Sequence, residues 1–160
     1  MAAYSYFIIK KSRIHNRGVF AKSNIKKNKK IVEYTGEKIS KKEGFKRQEI
    51  QFQKSRKDKL KGMDYIFELN KGFSIDGDTP DNAAKYINHS CEPNCEVKIL
   101  KSRIWIFSKK DIKKGEELSY NYGYGLEDFK KFRRKCRCGA KKCIGYMVAQ
   151  NMRKKITLQT

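Results

Sequence analysis

The sequence predicts an α+β fold built mostly from short β-strands, as one domain or one domain with a small appendage, and three observations support it. Hydrophobic residues make up 38% of the 160 residues and include nine Tyr and nine Phe, which is enough to build a core. Short runs of β-branched and aromatic residues alternate with charged turns. A single long stretch breaks this pattern and is typical of a helix.

The N-terminal part is predicted to form strands followed by a helix. Strands are expected at residues 5–9, 18–21 and 31–34, and the lysine-rich turn 26–30 separates the last two. Residues 40–62 are highly charged, and their apolar residues are irregularly spaced. This stretch therefore indicates a polar helix on the outside of the domain.

The remaining pattern predicts two β-hairpins and a final strand. Each hairpin consists of two β-rich runs joined by a short polar turn. The predicted pairs and the final strand are 65–69 with 73–76, 95–100 with 104–107, and 118–122 after the turn 111–117.

The charge is extreme and unevenly distributed. The 39 Lys and Arg residues outnumber the 17 Asp and Glu residues, giving a net charge of +22. This excess fits either plain solubility in a lysine-biased chain or a polyanionic partner such as a nucleic acid. Residues 64–96 carry a net charge of −5, whereas the chain after Asp128 has no acid and carries +11. This segregation indicates two surfaces with different partners.

The sequence predicts an intracellular protein that does not contact membranes. It has no apolar run near the roughly 18 residues that cross a bilayer. The N-terminus lacks the basic and then apolar pattern of a signal peptide. A type-III or type-IV export signal would escape this test.

The five cysteines predict a metal site. Structural disulfides are not expected in a reducing compartment. Cys136, Cys138 and Cys143 lie close enough in sequence to form a compact hook of three thiolates. A structural zinc ion needs a fourth ligand, which spacing assigns to Cys91 or Cys95, and we adopt Cys91 in the prediction of one zinc ion. The alternative is that free thiols merely cluster.

Five motifs resemble those of one protein family. Residues 88–95 spell Asn-His-Ser-Cys-Glu-Pro-Asn-Cys, which resembles the signature of SET-domain protein-lysine methyltransferases. Residues 12–21 are similar to that family's first cofactor-binding motif, and residues 33–37 and 117–122 follow in the family's order. Residues 136–143 resemble the post-SET zinc segment, especially that of trithorax-type histone methyltransferases.

Two residues depart from the family's pattern. Asn16 replaces the first glycine of the usual Gly-x-Gly, which could alter how closely the backbone approaches the cofactor. Lys85 replaces the arginine that usually precedes the Asn-His string, so the compact ammonium of lysine stands where the family has a planar guanidinium. Neither change removes a reacting group.

The resemblance implies the SET-domain fold, with short curled sheets and a knot-like threading of the C-terminal segment. It implies a catalytic domain over residues 4–128, with a helical insert at about 40–62. Residues 129–160 would form a small basic post-SET zinc segment and tail. Because this tail is small, metal binding is expected to supply its folding energy.

The resemblance also implies the catalytic residues. Tyr122 matches the catalytic tyrosine, whose hydroxyl lies beside the transferring methyl group. Tyr65 and Tyr120 would line a narrow channel for the substrate lysine. Tyr120 stands where Phe or Tyr tunes the number of methyl groups, so monomethylation is the expected main product. Without the resemblance, each tyrosine would be interpreted as a half-buried strand aromatic.

The cofactor implied is S-adenosylmethionine. The backbone of Arg17 and Gly18 would contact its methionine portion, and Asn88 and His89 would contact the methionine amine and the adenine region. Tyr146 matches the post-SET aromatic that packs on adenine. Zinc would act indirectly, by placing Tyr146.

The resemblance therefore implies a monomeric lysine methyltransferase whose substrate is a histone tail or another basic chromatin protein. The acidic segment 64–96 would attract the peptide, and the basic tail and residues 41–61 would grip nucleosomal DNA. The expected location is the nucleus or chromosome, including a host nucleus for a secreted effector. The alternatives are a non-enzymatic, zinc-stabilised nucleic-acid-binding module, or a methyltransferase of bacterial histone-like or ribosomal proteins in the bacterial cytoplasm.

Overall fold

The computed structural model describes residues 6–57 and 64–157, and over these residues short strands predominate. In chain order the strands are β1 (Phe7–Lys11), β2 (Arg17–Ala21), β3 (Lys30–Tyr34), β4 (Glu37–Ser40), β5 (Ile66–Glu68), β6 (Phe73–Asp76), β7 (Asn88–His89), β8 (Cys95–Leu100), β9 (Arg103–Ser108) and β10 (Ser119–Tyr120). The α-helices are α1 (Lys41–Lys57), α2 (Leu126–Phe132) and α3 (Arg153–Thr157), and two short 3-10 helices lie at Ala83–Tyr86 and Gln150–Met152. The prediction of a mostly β α+β fold is confirmed.

The described chain divides into two compact units that each draw on separate stretches of sequence. The first unit contains residues 6–29, 87–96 and 108–157. The second contains residues 30–57, 64–86 and 97–107. Within the described part of the chain, no helix combines the length and the apolar character needed to cross a membrane.

Antiparallel pairing organises the N-terminal part of the first unit. Strand β1 pairs with β2, with Phe7 opposite Ala21. Isolated bridges continue the pairing from Phe20 to Glu117 and from Ile25 to Ile112. The pairing therefore ties residues near the N-terminus to the 112–117 turn.

A short parallel pair joins two distant motifs within the first unit. Strand β7 pairs with β10, with Asn88 beside Ser119 and His89 beside Tyr120. Both strands are buried, as are the flanking residues Ile87 and Leu118. Parallel strands need a long connection, so this contact follows from tertiary folding rather than from any local turn.

The C-terminal part of the first unit has its own small apolar cluster. Phe129 of α2, Val148 and Ile156 of α3 are buried together, and Tyr146 packs against them. The expectation that this part depends on metal alone for its folding energy is therefore too simple. Some of that energy comes from burying these side chains.

The second unit contains the two predicted hairpins and the predicted helix. Strand β6 lies between β4 and β5, with Ile66 of β5 opposite Asp76, which confirms the first hairpin. Strand β9 lies between β3 and the part of β8 that follows Glu96. The connecting residues Lys101 and Ser102 both have positive φ, as a type I′ two-residue hairpin turn requires.

Helix α1 packs on the β4–β6–β5 sheet through a buried glycine. A Cβ atom added at Gly44 would lie 3.1 Å from the Ser74 hydroxyl oxygen and 3.3 Å from the Ile66 side chain, so the glycine permits a close approach. Phe45 on the same helix is exposed. The helix predicted at 40–62 is present over Lys41–Lys57, and residues 58–63 lie outside the described residues.

Candidate active site and metal centre

Four of the five cysteines converge in the first unit. The sulfur atoms of Cys91, Cys136, Cys138 and Cys143 all lie within 4.8 Å of one another. The Cys91 sulfur is 3.8 Å from that of Cys136 and 3.8 Å from that of Cys143. Four sulfurs arranged as a tetrahedron at 2.3 Å from zinc would lie about 3.8 Å apart. The donor set and its spacing therefore fit a structural zinc ion.

The geometry decides between the two candidates for the fourth ligand. Cys91 belongs to the cluster, whereas Cys95 is fully buried elsewhere in the first unit. Burial raises the pKa of Cys95 to about 12, so this thiol keeps its proton. The ligand set predicted from the sequence is the set that the structure brings together.

Backbone turns shape the three-cysteine hook. The amide of Cys136 donates to the carbonyl of Gly145 at 2.9 Å, and the amide of Cys143 donates to the carbonyl of Ala140 at 3.0 Å. Gly139 lies between the ligands with a φ of 70°, in the left-handed region that glycine adopts without strain. This turn reverses the chain so that both ends of the hook face one point.

The thiols of the cluster differ in acidity. Burial acts to raise the pKa of Cys138, but backbone N–H donors from Cys91 and Ala140 outweigh it and lower that pKa to about 7. Burial and the neighbouring Cys138 raise the pKa of Cys91 to about 11. The lowered pKa of Cys138 favours its thiolate form, and a metal ion that recruits Cys91 would release a proton.

A buried network holds Asn88 at the start of β7. Its amide nitrogen donates to the Arg17 carbonyl at 3.0 Å, to the Glu117 carboxylate at 2.8 Å and to the Ser12 hydroxyl at 3.2 Å. The Ser12 hydroxyl itself donates to Glu117 at 2.7 Å. Because these partners are acceptors, the Asn88 carbonyl oxygen is the atom that remains to accept a donor.

Glu117 and Ser12 are site residues that the sequence reasoning missed. Both lie inside motifs that the resemblance identified, but only motif membership pointed to them. Glu117 reaches Asn88 because β7 and β10 are parallel neighbours. Local sequence patterns do not reveal a contact between residues that lie so far apart in the chain.

Backbone geometry explains both glycine positions of the first motif. Asn16, the departure noted above, has a φ of 35°, a conformation that asparagine tolerates better than most residues other than glycine. A Cβ atom at Gly18 would contact the Glu117 carboxylate and would lie 2.9 Å from the Ser12 Cβ. Asn16 thus preserves the turn, and Gly18 makes room for Glu117.

His89 connects the metal cluster to Tyr122. Its ring nitrogen Nδ1 accepts the backbone N–H of Tyr122 at 3.1 Å, so the neutral ring carries its proton on Nε2. That nitrogen lies 3.6 Å from the Cys91 sulfur. Burial, and then the charge of Arg153, lower the pKa of His89 to about 4. The predicted adenine contact of His89 stays a prediction.

Tyr120 and Tyr122 form an aromatic group beside β7. Their ring centroids are 5.0 Å apart, and the Tyr122 ring meets the rings of His89 and Tyr124 edge-on. Tyr120 is buried and Tyr122 is half-buried. The Tyr122 hydroxyl donates to the Ile87 carbonyl at 3.0 Å, which leaves its oxygen lone pairs facing away from the donated proton. Such an oxygen can stabilise a nearby positive centre.

Tyr65 lies in the second unit, at the edge of the β5–β6 hairpin. Its carbonyl accepts the Tyr34 hydroxyl at 2.8 Å, and its amide donates to the Gln51 side chain at 2.8 Å. The ammonium of Lys85 is 5.8 Å from its ring centroid and pairs with Asp78 at 3.3 Å. The backbone of Tyr65 is therefore firmly held.

Tyr146 lies between the metal hook and the small apolar cluster. Its ring meets Phe129 edge-on at 5.1 Å, and its hydroxyl accepts a hydrogen bond from Lys135 at 3.0 Å. That lysine lowers the pKa of Tyr146. Tyr146 follows Cys143 by three residues, so the hook and this ring are positioned together.

Two arginines of the basic tail turn inward, which the charge count did not predict. Arg134 is only 3% exposed, and its guanidinium lies over the rings of Tyr124 and Phe132 at 4.0 Å and 4.3 Å. Arg153 donates to the carbonyl of Cys91 at 2.7 Å. These side chains stabilise the first unit, so the tail presents fewer outward charges than its composition suggests.

Acids of the 64–96 segment are partly neutralised within the second unit. They form ion pairs with neighbouring basic residues, which reduces their electrostatic attraction for a basic peptide. The pairs are Glu68 with Lys41 at 2.8 Å, Asp76 with Arg47 at 2.9 Å, and Asp78 with Lys85 at 3.3 Å.

Comparison with known proteins adds the family. The SET domain family model matches residues 16–123. Histone-lysine N-methyltransferase set-2 of Caenorhabditis elegans is 39% identical over 147 residues, covering 86% of this chain and 9% of that protein. An H3 lysine-4 specific histone-lysine N-methyltransferase of Emericella nidulans is 36% identical over 143 residues, covering 86% of this chain and 11% of that protein. A protein of the same description in Schizosaccharomyces pombe is 37% identical over 142 residues, covering 85% of this chain and 14% of that protein.

The chain thus spans about a tenth of the length of these relatives. The matched region contains the Asn88-His89 string and the tyrosines of the 117–122 motif. Since the family model covers more than half of the chain and the relatives are more than 30% identical over most of it, this chain belongs to the SET-domain family, and its relatives are of the trithorax type.

Proposed function

We propose that the chain is the catalytic part of an S-adenosylmethionine-dependent protein-lysine N-methyltransferase that acts on a histone in the nucleus. The observation that carries the proposal is the β7–β10 pairing, which joins the Asn88-His89 motif to the tyrosine motif. The relatives' names supply the substrate class, histone H3 lysine 4. Residues 4–128 would be the catalytic domain and residues 129–160 the zinc segment.

The chemistry requires a neutral substrate amine. S-adenosylmethionine supplies the methyl group from a sulfonium. A free lysine amine has a pKa of about 10.4, and an apolar aromatic channel would lower that pKa by disfavouring the charged form. Tyr120 and Tyr122 would form walls of this channel, and Tyr65 is assigned to it by family resemblance alone. Alignment of the amine with the methyl group would then be the main catalytic device.

Tyr122 would act as a positioning and electrostatic group rather than as a strong base. A phenol with a pKa near 10 leaves little phenolate at pH 7. The Tyr122 hydroxyl donates its proton to the Ile87 carbonyl, so its oxygen can face the positive charge that moves from sulfur to nitrogen. The backbone amide of Tyr122 is fixed by His89, which limits movement of the ring.

The cofactor would bind beside the Asn88 network. The Asn88 amide nitrogen is occupied by protein acceptors, so its carbonyl oxygen is suited to accept from the cofactor's ammonium. The backbone of Arg17, Gly18 and His89 would complete the methionine and adenine contacts. Tyr146, held by Phe129 and Lys135, would pack on the adenine. One zinc ion on the four cysteines would keep Tyr146 in place.

Tyr120 supports monomethylation as the main outcome. Its side chain is buried and packs on Tyr122, so its hydroxyl would limit the volume of the proposed channel. A hydroxyl there can hold a water that occupies the space of a second methyl group. Tyr120→Phe should raise the share of di- and trimethylated product in mass spectra of a histone H3 peptide. Efficient trimethylation by the wild type would contradict this step.

The partners proposed are a histone tail and nucleosomal DNA, engaged by a monomer. The outward lysines of α1 and of the C-terminal tail, such as Lys141 and Lys142, are exposed and suited to phosphate contact. Pairing within the second unit leaves less free acid than the sequence suggested for attracting the peptide. Channel geometry would therefore matter more than bulk charge in substrate choice.

A methyl-transfer assay with matched variants tests the proposal. Labelled S-adenosylmethionine is combined with histone octamers, nucleosomes or a bacterial lysate, and the modified sites are mapped by mass spectrometry. Tyr122→Phe should lower the rate by about 10²–10³-fold, the size of effect expected for one lost electrostatic group. Tyr124→Phe, which keeps the ring under Arg134, should retain most activity.

The outcomes separate the function classes. Transfer to histones that depends on Tyr122 supports the proposal, and transfer only to proteins of the lysate favours the bacterial-substrate alternative. If no sample is methylated and calorimetry detects no cofactor binding, the methyltransferase proposal fails and the non-enzymatic binding module is favoured.

A further inference from the structure

Two lysine-rich loops of the first unit lie side by side, and their residues belong to none of the motifs that the methyl-transfer proposal uses. The loops are residues 22–29 and 109–114, and together we name them the lysine platform. Eight of their fourteen residues are lysines and one is an acid. The lysines are Lys22, Lys26, Lys27, Lys29, Lys109, Lys110, Lys113 and Lys114.

Backbone hydrogen bonds hold the two loops together. Ile25 and Ile112 are 2% and 1% exposed, and each donates its amide to the other's carbonyl at 2.8 Å. The amide of Lys114 donates to the Asn24 side chain at 2.9 Å, which ties the loops together at a second point. The platform is therefore a built surface with its own apolar anchor rather than a pair of unrelated loops.

The single acid of the platform serves as a strut. Asp111 accepts the backbone N–H of Lys27 at 2.8 Å and pairs with the ammonium of Lys26 at 3.1 Å. The N–H of Lys27 and then the ammonium of Lys26 lower the pKa of Asp111, so the carboxylate stays ionised in its bonded role. One strut neutralises one of eight lysines and leaves a strong local excess of positive charge.

Every platform residue except the two isoleucines is exposed. Gathering like charges on one surface costs self-repulsion, which a chain that needed lysine only for solubility would avoid by interspersing acids. In the C-terminal tail, by contrast, Arg134 and Arg153 turn inward to stabilise the unit. The platform thus presents a denser set of outward ammonium groups than the tail does.

We propose that the lysine platform binds the phosphate backbone of duplex DNA without reading its sequence. The compact ammonium of lysine is suited to phosphate, whereas sequence-specific contacts to base edges favour the planar guanidinium of arginine. Neither loop contains an arginine. Neither loop contains an aromatic residue on which unpaired bases could stack, which favours a duplex over a single strand. The binding requires neither cofactor nor histone, so it stands or falls separately from methyl transfer.

The test compares three variants that each remove four positive charges from exposed residues of the full chain. The platform variant carries Lys22→Gln, Lys109→Gln, Lys110→Gln and Lys113→Gln, which spares the Asp111 strut. The α1 control carries Lys42→Gln, Lys46→Gln, Lys54→Gln and Lys57→Gln. The tail control carries Lys141→Gln, Lys142→Gln, Lys154→Gln and Lys155→Gln. All three have the same net charge, so differences between them report location. Because the α1 and tail lysines are themselves proposed to contact nucleosomal DNA, these two variants are expected to lose some affinity, and the comparison measures how much more the platform contributes.

Binding is measured by fluorescence anisotropy of a short labelled DNA duplex of mixed sequence at several salt concentrations. Each lost phosphate contact should reduce the slope of log K against log salt by about 0.9, so losing four contacts would reduce it by about 3.6. The platform variant should lose at least tenfold more affinity than either control. Variants of one loop alone (Lys22→Gln, or Lys109→Gln with Lys110→Gln) should each show part of the effect.

Further measurements keep the result interpretable. Thermal unfolding and zinc content should match the wild type, and the single-loop variants serve if the fourfold variant misfolds. Duplex RNA and single-stranded DNA of equal length are the comparison ligands. The proposal is overturned if the platform variant loses no more affinity than the controls, or if single-stranded DNA or duplex RNA binds more tightly than duplex DNA.

Discussion

Exchanging one sulfur for oxygen at Cys91 and, separately, at Cys95 provides a matched test of the metal centre. Both side chains are almost fully buried, and they lie four residues apart in the same unit. Cys91→Ser removes a member of the four-sulfur cluster, whereas Cys95→Ser changes a thiol outside it. We expect zinc binding to fail in the first variant and to persist in the second.

The size of the effect follows from the geometry. The Cys91 sulfur is 3.8 Å from two others, so it occupies one corner of a tetrahedron that the remaining three cannot close. Loss of an outer-shell partner already weakens metal binding 10–100-fold, so losing this ligand should cost at least about 10²-fold. At fixed excess zinc, that weakening removes about 2.7 kcal/mol of stability. For a chain of this size, the unfolding temperature should fall by about 5–10 °C.

The assay pairs metal analysis of purified protein with thermal unfolding in the presence and absence of a chelator. Wild type and Cys95→Ser should carry one zinc per chain and lose stability on chelation. Cys91→Ser should carry little zinc and respond weakly to the chelator. One tightly held zinc in Cys91→Ser, or its loss from Cys95→Ser, would refute the assignment of the fourth ligand.

Two further substitutions test how the site is built. Gly18→Ala places a methyl group against Glu117 and should lower the free energy of unfolding, measured with denaturant, by about 1–3 kcal/mol. Gly72→Ala is the control, because a Cβ atom there would have its nearest neighbour 3.8 Å away, and it should lower that free energy far less. Equal losses of stability in the two variants would show that the close approach at Gly18 is unimportant. His89→Ala leaves the backbone N–H of Tyr122 without its acceptor and should cost about 1–3 kcal/mol beyond packing. His89→Asn should recover part of that stability, and equal losses in the two His89 variants would count against the hydrogen bond.

Local patterns were sufficient to predict most of the strands. The alternating runs of β5 and β6 and their polar turn form the expected hairpin, because a hairpin depends on neighbours in sequence. Strand β4 was missed, since its four residues Glu37–Ser40 contain two charges and pair only because β6 lies beside them. Helix α2 was missed because seven residues are too few to show a helical period.

The motifs gave the candidate site residues, but not the contacts among them. The motif order identified Asn88 and Tyr122, yet Glu117 emerged only once β7 and β10 were seen to be parallel neighbours. Charge counting failed for a similar reason. It could not separate Arg134, whose guanidinium lies over two aromatic rings, from the lysines that face solvent.

The metal cluster has two routes to the proposed active site, one of which passes through His89. Through the hook, zinc would hold Tyr146 against its apolar cluster. Through Cys91, the cluster lies 3.6 Å from His89, whose other ring nitrogen accepts the amide of Tyr122. A thiolate fixed by metal would strengthen the His89 Nε2–H bond and so favour the tautomer that accepts from Tyr122. Loss of metal would then loosen the proposed catalytic tyrosine as well as the ring proposed to cover adenine, so both cofactor affinity and turnover would depend on a zinc ion that touches neither reactant.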